Sequence, residues 1–405
     1  MPFRIALSGL NAATADLTVT ANNVANSATS GFKGSRAEFA EMFSVSPQGV
    51  SSLATGSGVR VSKVAQQFKQ GNIDFTNSSL DLAVSGQGFF VLSDNGALAY
   101  TRAGAFEVDR DGYVGNSRGQ RLQVFAPTPN GGFNTGSLSD LQLVTSESPP
   151  QATTRAQLVF NLPANAAPPA RAPLDPTDPE TYNQATSITV YDSLGAAHTG
   201  TVYFTKTANP NEWQTELYVD GTAVGGPQAL QYSNTGVLAA PAGGRVTFPT
   251  YTPATGAAPL DLTIDFGSST QYGGNFAVNS VTQDGYTTGR LIGIDIGSSG
   301  IVQARFTNGR SLPLGQVALA NFSNPQGLQQ LGDTNWAETF GSGQAVRGQA
   351  GTSSFGLIQS GALEASNVDI TEQLVNMITA QRNFQANAQM ISTSDAITQT
   401  IINIR

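Results

Sequence analysis

Both ends of the chain carry apolar residues at alternating steps of four and three, while the long stretch between them is glycine-punctuated and alternates in twos. Phe3, Leu7, Leu10, Thr14, Leu17, Ala21, Val24 and Ala28 follow that stepping near the start. Ile370, Leu374, Met377, Gln381, Phe384, Ala388, Ile391, Asp395, Thr398 and Ile402 follow it near the end. Such spacing is the seam of a helix that packs along another helix. The expected fold is therefore mainly β with terminal α-helical coiled-coil segments: nested, discontinuous β domains closed on a two-helix stalk. The two seams can meet, and the stalk is suited to packing against copies of itself.

The 405 residues exceed one ordinary domain of roughly 100–200 residues. Charged residues make up 12% of the chain, against about 25% in typical soluble domains, although the hydrophobic share is an ordinary 39%. The surface must then be rich in neutral polar groups, which meet one another without the desolvation cost of buried charge. Extensive self-contact follows from this, as does the simpler account of a low-charge extracellular protein. Net charge is −8 and the lysines are Lys33, Lys63, Lys69 and Lys206 alone. With no basic stripe, nucleic acid is not expected as a partner. Without cysteine there are no disulfides or thiolate metal sites. Arg4 is followed by only Ile5-Ala6-Leu7 before Ser8-Gly9, short of the apolar core of a cleavable signal peptide. No run approaches the about 18 apolar residues of a membrane span. Export, if it occurs, is expected to use a route without a Sec-type signal.

The first helix is predicted over about Phe3 to Asn26, ended by Ser27, Ser30 and Gly31. From Val59 onward short strands take over: Val59-Val61 with Val64, Leu80-Leu82-Val84, Phe89 to Leu92, Tyr113-Val114, and Leu122-Val124-Phe125. Asp94-Asn95-Gly96 and Asp111-Gly112 supply hairpin turns between them. Ser148-Pro149-Pro150 and the proline-rich 163–179 run read as linker or surface loop. A second β-rich block follows and includes Ile188-Val190, Val202-Phe204, Trp213 to Val219, Val246-Phe248 and Leu260 to Phe266. The first pattern resumes in Ile292-Ile294-Ile296 and Val302-Ala304-Phe306, with Asn308-Gly309 as a turn before Val317-Leu319. The expected organisation is nested. Residues 1–28 and 365–405 form the terminal helices, 29–58 and 336–364 connect, 59–145 with 286–335 make a first β domain, and 146–285 is inserted into it. No internal repeat of roughly 20–50 residues occurs, which excludes solenoids and propellers.

No constellation supports an enzyme. The single histidine, His198, follows Asp192-Ser193-Leu194-Gly195-Ala196-Ala197 and is expected in a surface turn, since no Gly-x-Ser-x-Gly elbow accompanies it. Asp109-Arg110-Asp111-Gly112 lacks the third ligand and the later Glu of a calcium loop. Gly86-Gln87-Gly88 and Gly56-Ser57-Gly58 lack the third glycine and following helix of a phosphate cradle. Asn77-Ser78-Ser79 and Asn321-Phe322-Ser323 match a glycosylation sequon, as chance predicts in a chain rich in Asn and Ser. No metal and no cofactor is expected. The heptads themselves contain Thr14, Ala21, Gln381 and Asp395, which weaken a simple dimeric coiled coil. Isolated helices so poor in strong core residues are marginal in water and should order on assembly.

Specific motifs then point to a family. Phe3 with Ala6-Leu7-Ser8-Gly9-Leu10-Asn11-Ala12-Ala13, followed by Asn22-Asn23-Val24-Ala25-Asn26-Ser27-Ala28-Thr29 and Gly31-Phe32-Lys33, resembles the N-terminal signature of the bacterial flagellar rod and hook axial proteins. Glu38-Phe39-Ala40-Glu41-Met42-Phe43 is similar to hook members in particular. Leu82-Ala83-Val84, Gly86-Gln87-Gly88-Phe89-Phe90 and Tyr100-Thr101-Arg102-Ala103-Gly104-Ala105-Phe106 match the family's first β domain. Gly361-Ala362-Leu363-Glu364, Ser366-Asn367-Val368-Asp369 and Gln381-Arg382-Asn383-Phe384-Gln385-Ala386-Asn387-Ala388 match its C-terminal signature. Val24 stands where Leu is usual, which keeps the seam apolar. The likeness is strong over roughly the first 125 and last 50 residues and thin across 146–285.

The resemblance implies a self-assembling, curved tube that acts as a universal joint carrying motor torque to the filament. The terminal helices would form its inner wall, the first β domain a middle layer and the inserted domain the outside. It further implies an extracellular place in the flagellum, distal to the basal body. Export would run unfolded through the flagellar type III apparatus, with the distal rod, hook cap and hook–filament junction proteins as partners beside the homopolymer. The alternatives are another axial subunit, of the distal rod or hook–filament junction, or a secreted binding or enzymatic β protein.

Overall fold

The computed structural model describes residues 2–43, 56–143 and 147–403. Part of the expected 29–58 connection, the expected boundary at 145/146 and the last two residues of the expected C-terminal helix lie outside the described residues. The chain separates into two compact units: Met1–Thr145 with Gly293–Arg305 and Ser311–Arg405, and Ser146–Ile292 with Phe306–Arg310.

In the first unit, helix α1 spans Pro2–Ala25 and helix α2 spans Ile370–Asn403. The end of α1 is tied by Asn26, whose backbone N donates to Asn22 O, and the chain then turns through Gly31 at φ 71°. α2 begins where Asp369 Oδ1 accepts from Thr371 N (2.7 Å) and Glu372 N (3.2 Å), so a side-chain oxygen satisfies amides that no helical carbonyl can reach. No glycine or proline interrupts its 34 residues.

The body of this unit is a twelve-stranded sheet. Its main run orders the strands Leu291–Ile296, Ile301–Phe306, Ser311–Asn321, Arg121–Phe125, Phe89–Asp94, Ala97–Thr101, Asn335–Ala337 and Gln329–Gly332. Strands from before and after the second unit lie side by side, as in the pair Val317↔Val124. Both faces of its centre are covered. Phe90, Leu92, Val317 and Leu319 join one core, while Phe89, Val91, Ala318 and Ala320 join another with Tyr100, Phe322 and Trp336. Burial on both faces is why Phe89 to Leu92 reads as an unbroken apolar run. Asn95 (φ 51°) and Gly96 (φ 94°) close the Asp94↔Ala97 hairpin, a two-residue turn with both central φ positive.

Two stretches differ from the sequence expectation. Residues Ser35–Glu41 form a strand, not a connection, and pair antiparallel with Val59–Gln66 in a separate two-stranded ribbon. Val59–Val64 therefore lies outside the twelve-stranded sheet. The 336–364 stretch is likewise not plain connection: Val346–Gln349, Leu357–Ser360 and Ala362–Glu364 each pair with a strand from elsewhere in the unit. These partners are far apart in sequence, so local patterning does not announce them.

The second unit is a sandwich. A six-stranded antiparallel sheet (Gln184–Tyr191, Ala197–Lys206, Glu212–Val219, Gln228–Tyr232 and Leu238–Ala240, with Thr222–Ala223) faces a five-stranded mixed sheet centred on Arg155–Pro163. Alternate residues point inward, and Leu158, Phe160, Phe204, Trp213, Leu230, Ile264 and Phe266 share one core. The unit runs past the expected limit at 285, because Thr307 N donates to Arg290 O and the Arg310 guanidinium lies 4.7 Å from the Tyr286 ring centre.

Candidate assembly surface and its anchoring junction

The motif residues meet at one junction beneath the helices. Gly31 takes a left-handed conformation, and a Cβ there would collide with the Ala103 backbone, so only glycine lets the chain pass. Its N donates to Glu364 O (2.7 Å). Two residues on, Lys33 Nζ lies 2.5 Å from Glu364 Oε1 and donates to Lys69 O (2.8 Å). From the other side Arg102 Nη1 reaches Glu364 Oε2 (3.1 Å), with further donations to Val84 O and Gly86 O. Gly71 N supplies another hydrogen bond to Glu364 Oε1 (2.9 Å). All three charged side chains are buried. Burial pulls the Lys33 ammonium below its ordinary pKa and the Arg102 guanidinium likewise, while Glu364 opposes both shifts. One carboxylate thus serves two cations, and the three residues come from three distant segments.

Two asparagines complete the junction. Asn23 Oδ1 accepts from Ser35 N (2.8 Å), and its Nδ2 donates to Ser35 O (2.7 Å) and to Gln373 Oε1 of α2 (3.0 Å). Asn367 Oδ1 accepts from Gly34 N, and its Nδ2 donates to Gln67 O and Lys69 O. Asn22 and Asn26 hydrogen-bond each other at the end of α1, Phe32 is half-buried and Ala25 is exposed. The roles of Asn23, Arg102, Glu364 and Asn367 were not derivable from spacing. For Arg102 and Glu364 the one legible signal is that charge is scarce here, so a charged residue inside a motif invites a buried partner.

The helices pack on each other antiparallel, with Asn23 near Gln373 and Gly9 against Asn387. None of the expected seam residues is fully buried in the single chain. The buried helix residues are Ala6, Ala12, Ala13, Thr20, Asn23 and Ala380, which are small or polar and permit close approach of the backbones. The expected rows are partly covered and partly open. Phe3, Leu7, Thr14, Ala21 and Ala28 are exposed, and Leu10, Leu17 and Val24 are half-buried. On α2, Ile370, Leu374, Gln381, Phe384, Asp395, Thr398 and Ile402 are exposed, and Met377, Ala388 and Ile391 are half-buried. Leu374 leaves 47% of its surface in water and Ile402 leaves 67%. Val375, Ile378 and Met390 add to the exposed apolar area. Phe39, Val61 and Val64 of the ribbon and the neighbouring Phe43 do the same, and the ribbon is tied to α1 where Val59 N donates to Ser8 Oγ (3.1 Å). So much apolar surface on thin elements marks a binding face.

His198 is the other departure. It is buried in the second unit with Asp192 and Asp220 on its two ring nitrogens, where a surface turn was expected. Both ring nitrogens are thereby occupied by carboxylates. Asp109 Oδ1 instead accepts from Asp111 N and Tyr113 N in a β-turn. Among the described residues no group of three or more His, Asp or Glu side chains is placed to hold a metal ion, and no helix is long and apolar enough to cross a membrane.

Comparison with known proteins places these features. Residues 3–33 match the flagella basal body rod protein family, 83–165 the flagellar hook protein FlgE/F/G D1 domain, 161–286 the flagellar basal body protein FlaE D2 domain, and 359–404 the flagellar basal body rod FlgEFG protein C-terminal family. The chain is 39% identical to the flagellar hook protein FlgE of Salmonella typhimurium over the full length of both, and 39% identical to that of Escherichia coli K12, again over the full length of both. The hook protein FlgE of Borreliella burgdorferi is 32% identical over 98% of each chain. The crystal structure of Helicobacter pylori flagellar hook protein FlgE2 superposes with a TM-score of 0.55 at 15% identity, covering 72% of this chain and all of the other, which speaks to the fold alone. Full-length identity at this level, over a chain whose family motifs build one buried junction, means that the chain belongs to the flagellar hook protein family.

Proposed function

We propose that the chain is the repeating subunit of the flagellar hook, a curved, flexible tube that passes motor torque to the filament as a universal joint. The observation that carries this reading is the row of apolar residues on α1 and α2 that the single chain leaves in water. Further copies would cover it. The helices would then form the inner wall, the first β region a middle layer and the second unit the outside. A rotating bent tube lengthens and shortens its contacts once per turn, which neutral polar surfaces allow with low barriers while an apolar wall holds. Thin terminal helices completed only by neighbours also suit a chain delivered unfolded by the type III export apparatus and added at the tip beneath the hook cap, between the distal rod and the hook–filament junction proteins. No catalytic role is assigned. A rod or junction subunit would share the terminal motifs, but the full-length relatives are hook proteins.

Leu374→Asp and Leu7→Asp test the wall, because both side chains are exposed in the single chain. An exposed substitution changes single-chain stability by about 0.5 kcal/mol or less, whereas in a closed wall it buries an unpaired carboxylate. Both variants should keep the wild-type unfolding transitions and make no tubes in electron micrographs. Normal tubes from either would overturn the assignment.

A further inference from the structure

The single histidine sits in a built site that the assembly reading does not use. His198, 7% exposed, has Asp220 Oδ2 at 2.6 Å from Nδ1 and Asp192 Oδ2 at 3.2 Å from Nε2. Asp192 is fully buried and its carboxylate is saturated: Oδ1 accepts from Leu194 N and Ala196 N, and Oδ2 also accepts from Thr255 Oγ1 (2.7 Å). Asp220 Oδ1 accepts from Thr199 N (2.9 Å), but its side chain is 44% exposed. The Tyr251 ring stands edge-on, 6.1 Å from the imidazole centre. Asp192, Asp220 and Tyr251 are the titratable groups facing the ring.

A carboxylate only accepts hydrogen bonds, and a neutral imidazole donates from one nitrogen alone. Two carboxylates on the two nitrogens are satisfied together only by the imidazolium. The segments so joined are the 192–197 turn, the 220–221 turn and the loop carrying Tyr251 and Thr255, with Ala258 N donating to Ser193 Oγ (2.9 Å) as a second tie. We propose that His198 is a proton-operated clamp, closed while the ring is cationic, which frees the Asp220 turn when the ring loses its proton.

Asp220 is the partner released because its carboxylate can turn into water, whereas Asp192 is enclosed and held by three other donors. The sign follows. Burial lowers the His198 pKa, but hydrogen bonds and charge from Asp220 and Asp192 outweigh it and leave the pKa raised above 6.5. The clamp is therefore fully stabilising below the unfolded value and is lost as pH rises through the folded one. Asp192, held at about 2 by its donors, and Asp220, lowered chiefly by the His198 hydrogen bond, oppose the clamp only well into acid.

The test uses the full chain, unassembled, where one histidine gives one ring resonance. NMR titration should place His198 above 6.5, and Asp220→Asn, an isosteric change at a half-exposed site, should move it down toward 6.5. Hydrogen exchange, corrected for its chemical pH dependence, should show peptides around 217–224 losing protection several-fold across that titration in wild type. In His198→Gln they should be open throughout. Titration at or below 6.5, an unchanged value in Asp220→Asn, or protection at 217–224 that ignores pH would each overturn the proposal. If His198→Gln does not fold, Asp220→Asn with the titration decides. None of these readings depends on tube formation, so failure here leaves the hook assignment untouched, and the reverse.

Discussion

At the scale of single residues, Glu364 ties the buried junction together. It is the one anion for two buried cations, and its own backbone O holds Gly31. Glu364→Gln leaves Lys33 and Arg102 buried without a counter-charge, which should destabilise the first unit by about 3–5 kcal/mol. Lys33→Met removes one cation and leaves the Arg102–Glu364 pair balanced, so its effect should be clearly smaller. The two tryptophans make this measurable, since Trp336 belongs to the first unit's core and Trp213 to the second's. Urea unfolding followed by Trp336 in a Trp213→Phe background should show the loss, and equal effects from the two substitutions would contradict the charge argument.

The elements most dependent on assembly are the helices and the ribbon. Ser35–Glu41 and Val59–Gln66 form a two-stranded sheet with Phe39, Val61 and Val64 open to solvent, and an isolated pair of strands is at best marginal in water. Its amides are expected to exchange rapidly in the free chain and slowly in the tube, while those of Phe89–Asp94 are protected in both. Protection of the ribbon in the free chain would contradict this. The difference between these elements also explains what could be read in advance. The Asn95-Gly96 hairpin was legible because turn chemistry is local, and the two-sided burial of Phe89 to Leu92 showed as an apolar run. The pairing of Ser35–Glu41 was not, because its partner begins eighteen residues beyond its end. The junction was legible only as a motif: Lys33 and Glu364 lie 331 positions apart, and no spacing rule connects them.

For the whole molecule, the decisive quantity is how little charge it has, 12% of residues. Charge–charge contacts between copies are then few, and screening has little to act on. Tube stability is expected to change little with added salt. A helical reconstruction should show the 147–285 block making hydrated, polar contacts with its neighbours, and a dry apolar seam there would count against low-barrier sliding.

Sequence alone determined what is local or periodic: the two terminal helices, the β character between them, the turn positions and the motifs shared with the axial proteins. It also determined that both helices carry an apolar row. Only the tertiary structure decided what each row touches. One residue along a helix turns the face by about 100°, and the row that pairs within the chain is the small and polar one through Gly9, Ala13, Asn23 and Ala380, where backbones approach closely. The large side chains of the neighbouring row, Phe3, Leu7 and Leu374 among them, are left outside. That choice rests on contacts between residues hundreds of positions apart, which no periodicity encodes, and it leaves the subunit with a surface that further copies of itself would complete.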